Sequence, residues 1–352
     1  MKQHQYVLLD GLRGMAALFI LFRHVPFAHI PASRSYLAVD LFFILSGFVI
    51  AFAYDEKVRN GSLSPRKFLL VRWIRLYPVY FLSVILGTIL IFGMAAAHHQ
   101  LNVYTSLLLG AAAITSLLYL PFPLPGSPSL FPLNGPYWSL FYELVMNMLY
   151  ARFRSWLTNR TLATMVALSG ILLAITSVTA NGLDVGSSWS ILDFASGILR
   201  SCFGISTGLL LYRIKNRPEI LPAWFSHISP WAGFPLTAAI LLSPPTMHYN
   251  GAIDAACACL VFPFCVLAGS NLADTRAKPL MLLLGSASYP VYVLHYPLSM
   301  AVVHWCHAAD RYAPYSAILF AIVLVFASQQ LEKYYDIPIR RWASQRLLGS
   351  TR

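Results

Sequence analysis

The chain has 352 residues, 58% of them hydrophobic and 11% charged, with a mean hydropathy of +0.63. That balance excludes an ordinary soluble globular domain and reads as an all-α, polytopic membrane protein. The formal net charge of +12 does not point to nucleic acid, because Lys and Arg fall in short clusters between apolar runs, where membrane orientation accounts for them. Neither a zinc site nor a disulfide framework follows from Cys202, Cys257, Cys259, Cys265 and Cys306, which show no CxxC or paired Cys/His spacing.

In chain order, apolar runs near the ~20 residues that cross a bilayer lie at 12–31, 36–54, 68–93, 101–120, 137–153, 161–180, 189–213, 222–243, 250–270, 280–304 and 313–335. No cleavable signal peptide is read before the first, so that helix stays. Between the fourth and fifth runs, "PFPLPGSPSLFPLNGP" (121–136) carries six prolines in sixteen residues and reads as a stiff outer loop or lid. The clusters at 55–75, 152–160, 213–217, 276–278 and 333–352, with Lys2 and Arg13, hold 21 of the 25 basic residues. All of them face the cytoplasm only if ten segments cross. The run at 101–120 is therefore expected to be re-entrant or to lie at the outer face, and both termini are expected in the cytoplasm. With no internal repeat and no long polar stretch, residues 1–352 read as a single membrane domain without a fused soluble one.

Ionisable groups inside a bilayer are costly, so those within the runs are functional candidates. They are Arg23, His24, Asp40, Glu143, Asp193, Arg200 and His295. At about 1.5 Å of rise per residue, His24, Glu143 and His295 share a layer roughly 18–22 Å from the inner edge, with Asp40 slightly farther out. A base, a second imidazole and an orienting carboxylate at one depth are the parts of a general acid/base site. The plainer reading, a buried group satisfied by a polar neighbour, weighs less for His24 and as much for His295. About 16 Å below His24 is Arg13, and "RKFLLVRWIRLYPVY" adds Arg66, Lys67, Arg72 and Arg75 at the same side. Arg72 and Arg75 share a helix face and suit phosphate oxygens or simple positive-inside anchoring; Arg66 and Lys67 fit anchoring better.

These residues fall in motifs that resemble the acyltransferase-3 family of integral membrane acyl transferases. Arg13 and His24 are similar to its R-x10-H signature, "LAVDLFFILSGFVIA" to its second-helix FFxLSGF pattern, and Arg72, Arg75 and Pro78 to its R-x-x-R-x-x-P element. "NGPYWSLFYELVMNMLY" resembles WSLxxE through Trp138, Ser139, Leu140 and Glu143, and "GSASYPVYVLHYPL" resembles the late motif ending at His295. The resemblance runs across nearly the whole chain. It implies transfer of an acyl group, usually acetyl from cytoplasmic acetyl-CoA, to a hydroxyl of a sugar acceptor at the membrane. His24 is then the expected base, oriented by Glu143. Arg13, Arg72, Arg75 and Ser139 are expected at the acyl-CoA cosubstrate, and Asp40, Tyr137, Trp138, Arg200 and His295 at the acceptor.

The implied partners are acyl-CoA, a cell-surface or lipid-linked glycan, and the lipids of a bacterial inner membrane, with no metal and no nucleic acid. Arg200 is expected to balance Glu143 or Asp193, or to polarise the thioester oxygen. "GISTG" at 204–208 fits a serine nucleophile elbow, but its place inside an apolar run favours a G-x-x-x-G packing face. His304 and His307 share a face without a third metal ligand nearby. A polytopic transporter is the alternative class, since intramembrane charges suit permeation as well.

Overall fold

The computed structural model describes residues 6–30, 32–246, 248–271 and 276–349, and among them no strand forms. Lys2 and Arg352, counted with the cytoplasmic charge, lie outside these residues. The helices are α1 (Val7–His24), α2 (Ala38–Ile50), α3 (Glu56–Arg59), α4 (Pro65–Ala97), α5 (Val103–Leu117), α6 (Tyr137–Phe153), α7 (Asn159–Thr179) and α8 (Ile191–Lys215). They continue with α9 (Gly233–Leu242), α10 (Asn250–Ala256), α11 (Phe262–Gly269), α12 (Lys278–Trp305), α13 (Ala308–Arg311), α14 (Tyr315–Leu331) and α15 (Ile337–Leu348). Single π turns at Ala51–Asp55, Cys257–Val261 and Glu332–Asp336 splice α2 to α3, α10 to α11 and α14 to α15.

Helix ends follow local chemistry. Ser64, Asn102, Thr158 and Ser190 cap α4, α5, α7 and α8 through their side-chain oxygens. α1 stops at His24 because Pro26 follows. The run expected to be helical over 222–243 yields only the ten residues of α9, since Pro222 and Pro230 interrupt it and Pro235 sits within the first turn.

Among the described residues, six segments are long and apolar enough to cross a membrane: 35–58, 65–97, 159–179, 191–215, 250–269 and 315–348. The other expected crossings fall short for separate reasons. α1 carries Asp10, Arg13 and Arg23, α6 has 17 residues and α9 has 10. α12 dilutes its apolar residues with Ser286, Ser288, His295, Ser299 and His304. Burial separates centre from rim: two thirds of the apolar window is buried in 35–58 and 191–215, but about a fifth in 159–179 and 315–348. On the rim, Leu168, Ile171, Ile175, Leu319, Ile322 and Phe326 project outward as lipid-facing side chains do.

Side-chain pairs fix the helix directions. Arg13 with Ser288 and His24 with His295 run α1 parallel to α12. Leu76 with Tyr289 and Ser83 with Val293 do the same for α4 and α12. Asp40 with Arg200 and Asp55 with Arg213 make α2 parallel to α8. α6 runs with α2, through Ser46–Glu143 and Asp55–Tyr150, and against α4, through Tyr137–Ser83. Three helices thus point one way (α1, α4, α12) and three the other (α2, α6, α8).

α5 returns along α4 from its far end only as far as Tyr80, whose hydroxyl donates to the Ser116 carbonyl at 2.6 Å. Its fifteen residues measure about 22 Å, short of a ~30 Å bilayer core. The proline-rich segment is exposed at Pro123, Pro125, Gly126 and Pro128 and buried closer to α6. Leu130, Phe131, Leu133 and Asn134 are buried, so the chain dips into the bundle before α6 begins.

Candidate active site

α12 is built around its prolines. Pro297 has no N–H to give the Val293 carbonyl, and Asn134 Nδ2 donates there at 2.8 Å, with Ser83 Oγ as a second donor. One turn along, His295 is fully buried. Its Nδ1 is 3.1 Å from the Val291 carbonyl and its Nε2 is 3.2 Å from His24 Nδ1. His24 Nδ1 also lies 3.0 Å from the Ile20 carbonyl.

Carbonyl oxygens only accept, so both Nδ1 atoms carry the proton in the neutral rings. His295 Nε2 is then an acceptor, and the Nε2 of half-buried His24 keeps its lone pair. Ser299 Oγ donates to the His24 carbonyl at 3.0 Å, and the Tyr296 ring lies edge-on to the imidazole, centroids 5.7 Å apart.

Toward the Arg13 end the same helices enclose a cavity of about 170 Å³. Arg13, Arg72, Arg75, Ser139 and Glu143 all line it. Arg13 is anchored by Asp10 Oδ1 (3.0 Å), the Gly285 carbonyl (3.0 Å) and Ser288 Oγ (2.9 Å). Ser139 Oγ is 2.6 Å from Tyr292 Oη. Tyr292 forms the cavity's inner end with Phe42, rings edge-on at 5.5 Å, and its ring centroid is 6.0 Å from that of His295. One aromatic layer therefore separates the cationic cavity from the histidine pair.

Four expectations need correcting. Glu143 does not share the histidine layer or orient His24. It pairs with Arg72 and accepts from Ser46 Oγ at 2.6 Å, because α6 starts inside the bundle, level with Ser83, and reaches Glu143 about 9 Å deeper.

Arg200 balances neither Glu143 nor Asp193. It grips Asp40 bidentately, Nε to Oδ1 at 2.9 Å and Nη2 to Oδ2 at 2.7 Å, and donates to the Val185 and Tyr36 carbonyls. Both side chains are 1–2% exposed, which leaves Asp40 and Arg200 no open face for a substrate. Tyr137 is fully buried with its hydroxyl on Ser83 Oγ (2.6 Å), and Trp138 lies under the Arg200 guanidinium at 5.1 Å; neither lines the cavity. Arg23, left without a role by its sequence position, pairs with Asp184 and donates to the Ser33 carbonyl.

Several cavity residues were not anticipated: Ser46, Ser288, Tyr289, Tyr292, Glu332, Asp336 and Arg340. Ser46, Ser288, Tyr289 and Tyr292 sit inside motifs already quoted. The last three come from what reads as a charged tail, and their only signal is four-residue spacing on one helix face.

The sequence matches the Acyl_transf_3 family, described as an acyltransferase domain, over residues 6–328. It is 42% identical over 181 residues to Protein 2 in picA locus of Rhizobium radiobacter, covering 49% of this chain and 94% of that protein. It is also 30% identical over 82 residues to the peptidoglycan O-acetyltransferase OatA of Listeria monocytogenes, covering 23% of this chain and 13% of that protein. No solved structure matches it. With the family pattern spanning nearly the whole chain and its Arg13, Arg72, Glu143, His24 and His295 gathered along one axis of the bundle, the protein belongs to the acyltransferase-3 family of membrane acyltransferases.

Proposed function

We propose that this protein moves an acyl group, acetyl first among candidates, from cytoplasmic acyl-CoA to a hydroxyl of a cell-surface or lipid-linked glycan, in the inner membrane of a bacterium. The observation that carries the reading is the alignment of a four-arginine cavity with the His24–His295 pair one aromatic layer beyond it. Guanidinium forks suit phosphate oxygens, and buried Nε atoms of Arg72 and Arg340 have no partner among the described residues, so the donor set fits a phosphorylated cosubstrate. A slender thioester arm spans the rest of the distance. The acetyl-transferring relative from Listeria supports a glycan acceptor.

The geometry supports the following roles. His24 Nε2 takes the proton of the acceptor hydroxyl as its oxygen bonds to the thioester carbonyl carbon and the carbon–sulfur bond breaks. The imidazolium then returns that proton to the departing thiolate, which at a thiol pKa of about 8.5 needs little acid assistance. His295, accepting from His24 Nδ1, fixes the ring and its tautomer.

The helix directions and short α5 support ten crossings, with the Arg13 end and both termini in the cytoplasm. Purified protein, labelled acetyl-CoA and candidate glycans provide the test. His24→Ala should lower CoA release by about 10²–10⁴-fold, the usual share of a general base. Turnover that survives the substitution, or solute flux without CoA release, overturns the reading, the latter in favour of a carrier.

A further inference from the structure

Glu332, Asp336 and Arg340 recur every four residues, so the helix brings all three to one face. They lie beyond residue 328, where the family match ends, yet all three line the cavity. The π turn Glu332–Asp336 supplies the two carboxylates, and α15 supplies the guanidinium; such turns are common where a helix is bent to a task.

Arg340 Nη2 is 2.6 Å from Asp336 Oδ2 and 3.8 Å from Glu332 Oε1. Its Nε is buried with no partner among the described residues. The Arg72 Nε is in the same condition, on a residue 4% exposed. Arg75 also lines the cavity.

Buried guanidinium donors without acceptors are unfavourable, and here two of them meet in one cavity beside the Arg75 cation. The lining carries Arg13, Arg72, Arg75 and Arg340 against Glu143, Glu332 and Asp336. Arg13 and Arg72 are committed to Asp10 and Glu143. Arg340 spends a single nitrogen on carboxylates and is 27% exposed, which makes it the arm most free to change partner.

We propose that Arg340 is an anion-binding residue of this cavity, which with Arg75 grips the phosphate groups of the cosubstrate, for which Asp336 and Glu332 stand in as competing anions beforehand. Phosphate oxygens accept from a guanidinium fork bidentately, replacing the one nitrogen now on Asp336 and giving the buried Nε an acceptor. The inference rests on the acyl-CoA reading and extends it to a segment outside the family pattern.

Binding of acetyl-CoA and of S-acetylpantetheine, which carries the same thioester without nucleotide or phosphate, should be measured on the full-length protein in lipid nanodiscs. Arg340→Gln should weaken acetyl-CoA binding about tenfold, the worth of one charge-assisted contact, and leave S-acetylpantetheine unchanged. Arg340→Lys, keeping charge without the fork, should fall between. Asp336→Asn, which frees Arg340, should bind acetyl-CoA as tightly as the parent or tighter.

Equal weakening by Arg340→Gln and Asp336→Asn would mean a purely structural ion pair and overturn the proposal. Unchanged binding in Arg340→Gln, with the parent protein binding normally, would overturn it and spare the acyl-CoA reading. A parent protein that prefers acetyl-CoA no more than S-acetylpantetheine would overturn both.

Discussion

A buried carboxylate is assigned by the guanidinium it touches. Glu143 belongs to Arg72, so Glu143→Gln should raise KM for acyl-CoA about tenfold by unsettling an arginine of the cavity, with kcat changed far less. A drop in kcat with KM unmoved would return Glu143 to the histidines. Asp40 and Arg200 saturate each other. Asp40→Ala leaves an uncompensated buried cation and should lower stability by about 3–5 kcal/mol, read as a fall in the thermal midpoint. Acceptor KM in whatever folded protein remains should be unaltered. At this scale the sequence identified some of the ionisable residues within the bundle, missing the buried Arg34–Asp254 and Arg213–Asp55 pairs, and did not show how they pair. Pairing depends on where α6 begins, and the buried turn at Leu133 and Asn134 has no periodic signature to announce its depth.

Helices α2 and α8 meet through glycine rather than through charge alone. A Cβ at Gly208 would lie 2.1 Å from the Ile44 carbonyl oxygen, and one at Gly204 would lie 2.5 Å from Phe43 Cβ. The "GISTG" stretch is therefore a close-packing face, as its position within an apolar run implies. Gly208→Val should force these helices apart at a cost of about 1–3 kcal/mol and lower the thermal midpoint. A midpoint equal to the parent's would mean that the contact is looser than it looks.

Most elements were legible because apolar length marks a membrane helix directly, as for α2, α4, α7 and α8. α9 was overestimated because prolines shorten a run without making it polar. The cavity wall at Glu332–Arg340 went unseen because basic residues near a membrane edge have a ready explanation in orientation.

For the whole molecule, the shared direction of α1, α4 and α12 puts the Arg13 cavity and the far end of α12 at opposite ends of the bundle, and the proposed topology then sets them on opposite sides of the membrane. Cys306, at that far end, is exposed, and Ser62 is exposed near the start of α4. In a version whose other four cysteines are replaced by alanine, an impermeant maleimide should label Cys306 on intact spheroplasts. A Cys306→Ala, Ser62→Cys counterpart should react only after the membrane is opened. The reverse pattern would invert the proposed orientation and with it the side proposed for entry of the cosubstrate.

The parallel pairing of α1 with α12 also has a consequence for the order of events during synthesis. Arg13 and Ser288 are 275 positions apart, and His24 and His295 are 271 apart. The first helix is therefore made with a guanidinium and an imidazole whose α12 partners have not yet been made, although Asp10 and the Ile20 carbonyl are already at hand. Contacts of such span form late, and until α12 arrives α1 is a charged helix in need of shelter, from water at its end or from an insertion factor beside it. A ribosome that stalls before residue 288 releases a chain that contains His24 and nothing to aim it.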